Sequence, residues 1–190
     1  MFLRKLMKEL ILPVAVAITL ALLIQATIAK PYEIPTPSMD PTIRPADRIL
    51  ANRLIYHFRD ISRGDIIVFE PTVAARESCG EQGTSDVPFV KRVIGLPGDR
   101  ISIVWGTRDV LINGTRYTVP SAVPNAPPPP SERQAQRVWT VPAGSLFVMG
   151  DNRPASCDSH VWSDPYVPTA NVIGQAELTY WPLSHFTFLD

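Results

Sequence analysis

The stretch from Leu10 to Ala29 carries no charged residue and is built largely from Leu, Ile, Val and Ala. Roughly 20 such residues let a helix cross a bilayer, because a helix satisfies every backbone N–H and C=O without water. The run is read as one N-terminal transmembrane helix over 10–29, behind a short cytoplasmic N-terminus of residues 1–9. Arg4, Lys5 and Lys8 precede it and only Lys30 closely follows. Positive charge is retained on the cytoplasmic side, so residues 31–190 are expected outside the cytoplasm. The rival reading is a cleavable secretory signal, with Thr27 and Ala29 as a small-x-small site, but the apolar run exceeds the usual ~7 to 15 residues of such signals. A buried core helix would normally keep a polar face, and this one has none.

The exported part is expected to be one domain, mainly β. Twenty prolines and ten glycines, concentrated after residue 30, disfavour long helices and suit short strands joined by turns. Strands are expected at Asp65 to Phe69, Pro88 to Ile94, Arg100 to Val104, Val138 to Val141, Ser145 to Met149 and Gly174 to Trp181. A polar loop separates the first two. Gly95 to Asp99 has Pro-Gly at its centre, the pairing of a type II turn. Asn113-Gly114 marks a two-residue hairpin. Pro120 to Ser131 contains four consecutive prolines and reads as an exposed connection. Lysines plus arginines equal aspartates plus glutamates, 18 each, so the basic footprint of a nucleic-acid binder is missing.

Three segments could carry chemistry. In Ile34-Pro35-Thr36-Pro37-Ser38-Met39-Asp40-Pro41-Thr42 three prolines hold the backbone near extended or turn geometry and present a serine hydroxyl; an ordinary proline-rich linker would look similar. Phe89-Val90-Lys91-Arg92-Val93-Ile94 embeds a lysine in an apolar strand, which penalises the ammonium and favours the neutral base. Alternation sends Lys91 and Arg92 to opposite faces, so at most one should face water if one face of the sheet is wet. Gly150-Asp151-Asn152-Arg153-Pro154-Ala155-Ser156-Cys157-Asp158-Ser159-His160 is a dense polar turn behind the apolar strand Leu146 to Met149. Its residues suit the orientation of a neighbour, or an Asx-rich turn supporting its own backbone.

The three segments, in this order behind one N-terminal span, resemble the type I signal peptidases. That resemblance implies a β-rich catalytic domain with one N-terminal transmembrane helix, anchored in the plasma (inner) membrane with the catalytic domain extracytoplasmic. It implies a Ser-Lys dyad, Ser38 as nucleophile and Lys91 as general base, with Thr36 and the Ser38 N–H as oxyanion hole. Ser156 would orient the lysine; Arg92, Asp151, Arg153 and Asp158 would scaffold the site. Substrates would be preprotein signal peptides with small residues at −1 and −3, read by Ile34, Pro35, Met39, Phe89 and Val90, which could equally be plain core. The lipid bilayer is the other partner, and neither cofactor nor metal is implied. Two positions depart from the common pattern: Pro37 replaces a small residue, and His160 replaces an arginine.

Cys79 and Cys157 are the only cysteines, and in an oxidising compartment they could form a bridge or remain two free thiols. A Ser38-His160-Asp158 triad would leave Lys91 unexplained. A Cys157-His160 pair sits too close in one loop. A non-catalytic peptide-binding domain would have no need of both Ser38 and Lys91, whereas a peptidase dedicated to one conjugation or secretion substrate would share the dyad and the anchor.

Overall fold

The computed structural model describes residues 7–80, 87–127 and 137–189, and side chains of the opening helix as far as Leu20. A π-helical turn, Met7–Ile11, leads into helix α1, Leu12–Thr27. Pro13 closely follows the π-helical turn and supplies no N–H to the helical ladder. Leu12, Val14, Val16, Ile18 and Leu20 point to different sides of the helix and are all about half exposed, so the other described residues leave it uncovered all round over this stretch. The 16 residues of α1 extend about 24 Å at 1.5 Å per residue. No helix among the described residues is long and apolar enough to cross a membrane.

In chain order the strands are β1 (Ala29–Glu33), β2 (Arg48–Asn52), β3 (Ile66–Phe69), β4 (Phe89–Gly95), β5 (Arg100–Ile103), β6 (Asp109–Ile112), β7 (Thr115–Thr118), β8 (Trp139–Thr140), β9 (Ser145–Met149), β10 (Val167–Pro168), β11 (Val172–Trp181) and β12 (Thr187–Phe188). The mainly β expectation is met. An antiparallel sheet runs β1-β2-β11-β3-β4-β9-β10, with β12 beside β11; a smaller one runs β7-β6-β5-β8. The helix ends before Ala29 because Ala29 already pairs with Asn52 at the start of β1. Asn113 and Gly114 join β6 to β7 at φ 53° and 83°, the left-handed conformations a two-residue hairpin needs. Asp99 locks this hairpin to the preceding corner, accepting from Leu96 N at 2.7 Å and from Asn113 Nδ2 at 2.8 Å. The proline-rich connection runs on into residues outside those described.

Strands β4 and β9 separate two cores. Val93 packs with Ile67, Phe69, Leu146, Val148 and Trp162. Its neighbour Ile94 packs with Ile101, Val110, Trp139 and Phe147. Each such burial is worth about 1.5–3 kcal/mol. Because both faces of β4 are covered, Lys91 and Arg92 are both buried, at 5% and 4% exposure. The one-wet-face premise therefore does not apply to this strand.

A short helix, α2 (Val73–Ser78), occupies part of the expected polar loop, its N-terminus capped by Thr72, whose hydroxyl accepts from Ala75 N. It delivers Cys79 to Cys157, with which it forms a disulfide of 2.09 Å. Trp162 Nε1–H donates to Cys79 Sγ at 3.2 Å. The bridge closes a loop of 78 residues, for which chain entropy gives about 4.5 kcal/mol of stabilisation. Cys79→Ser is expected to lower the unfolding temperature by about 10 °C or more, and reductant should reproduce that loss in the parent. Equal melting of parent, reduced parent and variant would contradict the assignment.

Candidate active site

Pro37–Met39 forms one 3-10 turn entered from extended backbone at Thr36. Met39 is fully buried among Ile34, Ile43, Ile49 and Ile66, which pins the turn to the large sheet and fixes the serine beside it. The turn is held from the other side by Asn152: its N–H donates to Ser38 O at 3.1 Å and its Nδ2 to Pro37 O at 3.0 Å. Ser38, 7% exposed, faces Lys91 of β4, and Lys91 Nζ lies 2.7 Å from Ser38 Oγ. Thr36 Oγ1 is 3.2 Å from the same Ser38 oxygen. Residues 53 positions apart are thus in hydrogen-bond contact, with the aromatic ring of Phe89 5.8 Å from the amine.

Asp151 ties the three segments together. It accepts from Arg92 Nε at 2.9 Å and Arg92 Nη2 at 2.8 Å, and from Thr42 Oγ1 at 2.5 Å. Arg92 spends Nη1 on Gly64 O at 2.8 Å. This bidentate pair is buried at both ends, so removing one partner leaves an uncompensated charge. Asp158, with no exposure, accepts from Gly150 N at 2.9 Å and lies 2.5 Å from His160 Nδ1. Burial pushes its carboxyl up, but the charge and hydrogen bond of His160 and the Gly150 N–H together bring it below the usual carboxylate value. Ser156 Oγ is itself buried outside hydrogen-bond geometry with any partner, so the contact that would orient Lys91 is not formed here. Arg153 is 3% exposed, and none of its three guanidinium nitrogens is hydrogen-bonded among the described residues. Desolvation draws its proton affinity down, against the opposing pull of Asp158 and Asp151.

A cleft of about 210 Å³ opens beside Ser38 and Lys91. Ile34, Pro35, Met39, Phe89 and Val90 all line it, although Ile34 and Met39 are also core. Sequence reasoning missed Tyr32, Val87, Pro88 and Ala155, which line it too, together with the disulfide pair. It also missed Gly150 as a site residue: a Cβ there would lie 2.3 Å from both Ser156 Oγ and the Ser38 carbonyl oxygen. The signals for Gly150 were its place at the end of an apolar strand and in the Gly150-Asp151-Asn152-Arg153 segment that carries the resemblance. The histidine alternative finds no support, since His160 is engaged by Asp158 while Ser38 Oγ meets Lys91 and Thr36.

The profile of the family described as signal peptidase, peptidase S26, matches residues 7–181. A signal peptidase I of Leptolyngbya laminosa is 39% identical over 171 residues, covering 90% of this chain and 78% of the relative. One of Bacillus licheniformis is 29% identical over 192 residues, covering 96% and 92%. A solved signal peptidase I of Enterococcus faecalis V583 is 27% identical, covers 62% of this chain and 97% of its own, and superposes with a TM-score of 0.43, too low to add to the sequence match.

Proposed function

This chain belongs to the signal peptidase family, peptidase S26, and we propose that it cleaves preprotein signal peptides with Ser38 as nucleophile and Lys91 as general base. The observation that carries the dyad is the 2.7 Å contact between two buried groups, Lys91 Nζ and Ser38 Oγ. A buried amine lacks the hydration that favours its ammonium form. As the neutral amine it takes the Ser38 proton while Oγ attacks the scissile carbonyl, and it returns that proton to the leaving amine. Thr36 Oγ1 and the Ser38 N–H stabilise the tetrahedral oxyanion. Water then enters against Lys91 and releases the acyl group from Ser38.

The substrate lies extended along the cleft. On one side β4 pairs with β3 through Phe89 to Lys91, whereas on the other β9 pairs only from Arg92 onward. The first part of β4 therefore offers ladder groups to a peptide strand, which fixes register while the cleft reads alternate side chains. A cleft of about 210 Å³ suits small residues at −1 and −3. A preprotein with an Ala-x-Ala site should be cut, and bulky replacements at −1 or −3 should remove cutting; indifference to both positions would contradict the substrate class.

The apolar, all-round exposed surface of α1, continued by the π-helical turn before it, supports a membrane anchor at the N-terminus. The basic residues before residue 10 support a cytoplasmic N-terminus and a catalytic domain of residues 31–190 on the outer side of the plasma (inner) membrane. Such an anchor brings the dyad to the bilayer surface, where membrane-held signal peptides end. Arg92, Asp151, Arg153 and Asp158 are then the buried framework that positions the dyad, and Ser156 approaches Lys91 as the site tightens around substrate.

A further inference from the structure

We propose that His160 is a charge-dependent positioning residue: as imidazolium it holds Asp158, and through Gly150 the Ser38 backbone, in the reactive arrangement, and as neutral imidazole it holds them less firmly. This rests on the dyad reading above. The connection is short. His160 Nδ1 lies 2.5 Å from Asp158 Oδ1, which also accepts the His160 backbone N–H at 3.3 Å. The other oxygen of Asp158 accepts from Gly150 N at 2.9 Å. Gly150 has no room to move independently, since its Cα faces Ser156 and the Ser38 carbonyl so closely that one added carbon would lie 2.3 Å from each. Asn152, two residues on, holds that same carbonyl at 3.1 Å. A shift of the Asp158 carboxylate is therefore passed to the nucleophile's own peptide through one glycine.

The surrounding charges leave this task to His160. Arg92 is taken by Asp151 and Gly64 O. Arg153 acts on Asp158 through space, but its guanidinium is hydrogen-bonded to nothing among the described residues. From the smaller sheet, Asp109 is paired with Arg116, and Tyr117 lies within the field of Arg153. Trp105 approaches the imidazole edge-on, with ring centroids 6.3 Å apart, and helps keep its side chain to 13% exposure. An arginine at this position would carry a permanent charge, whereas an imidazole changes charge across roughly pH 5–8. A neutral imidazole with its proton on Nδ1 still donates to Asp158, but a charge-assisted bond is about twice as strong. The coupling is therefore graded, not lost, as pH rises.

The test is the pH profile of kcat for the full chain in detergent acting on an Ala-x-Ala preprotein, from about pH 5 to 9, for the parent, His160→Arg and His160→Gln. Comparison at equal pH removes the rise in rate common to all three as Lys91 loses its proton. The parent is expected to match His160→Arg at the acid end and His160→Gln at the alkaline end. The two variants should differ by up to about tenfold throughout, the difference between a charged and a neutral hydrogen bond, with KM unchanged. A parent that runs parallel to either variant over the whole range overturns the proposal. If neither variant folds, 15N-histidine NMR of the parent gives the His160 titration midpoint: a break in log kcat there supports the proposal, and no break overturns it. Cleavage that survives Lys91→Met would sink the dyad itself, whereas an inert Lys91→Met beside parallel His160 profiles would sink only this inference.

Discussion

Replacing Lys91 with methionine is expected to lower kcat/KM for a preprotein by at least about 10³-fold while leaving the protein folded. A positioned general base contributes about 10²–10⁴ on its own, and members of one catalytic unit lose most of the unit's effect when removed singly. No substitute base stands ready among the described residues in contact with Ser38 Oγ, because the other is the Thr36 hydroxyl, which is too weakly basic to take up a proton at neutral pH. Methionine matches the length of the lysine stem and removes an amine from a site of 5% exposure, so the fold should lose little stability. Steady-state cleavage alongside thermal unfolding checks both halves of this expectation. A large loss of rate together with a large loss of melting temperature would assign Lys91 a structural role instead.

Gly150→Ala is expected to cost about tenfold less than that, for a reason that involves no proton. Its added methyl would start 2.3 Å from the Ser38 carbonyl oxygen and 2.3 Å from Ser156 Oγ. The serine side chain can rotate away, but the carbonyl belongs to a turn pinned by Asn152 and by the buried Met39. Relief therefore comes from displacing the nucleophile's own peptide. Misplacement of about 1 Å costs about 10²-fold in rate, and overpacking costs about 1–3 kcal/mol. A loss of kcat of about 10²-fold with a melting shift of a few degrees is the expected result. If Gly150→Ala kept parental kcat, the close approach would be of no consequence for catalysis.

What could be read from the residues alone was set by how local each signal is. The strands β3, β4, β9 and β11 announce themselves through runs of β-branched and aromatic residues, and the Asn113-Gly114 hairpin through two residues that tolerate positive φ. Strands β1 and β2 do not: Lys30, Pro31 and Glu33 favour no strand, and they form one because Ala29 to Glu33 finds β2 as a partner. α2 is a single short run of helix formers, Ala74 to Glu77, behind the Thr72 cap, too brief to stand out in a stretch read as a polar loop. The juxtaposition of Ser38 with Lys91 was legible only through the resemblance, since nothing local relates residues 53 apart. Asn152 looked like a turn residue serving its own backbone, yet it holds Pro37 and Ser38. Burial of both Lys91 and Arg92 could not be read from period-two alternation, because alternation says which residues share a face and not whether the other face is covered.

The chemistry assigned to Ser38 is tested most directly with purified full-length chain, parent and Ser38→Ala, incubated in detergent with an Ala-x-Ala preprotein, the N-terminus of any product being mapped by mass spectrometry. The account requires that the parent cut once, directly after the second alanine, and that the folded Ser38→Ala variant leave the preprotein intact. Cutting at that bond by folded Ser38→Ala at a rate comparable to the parent would contradict it and move the nucleophile elsewhere.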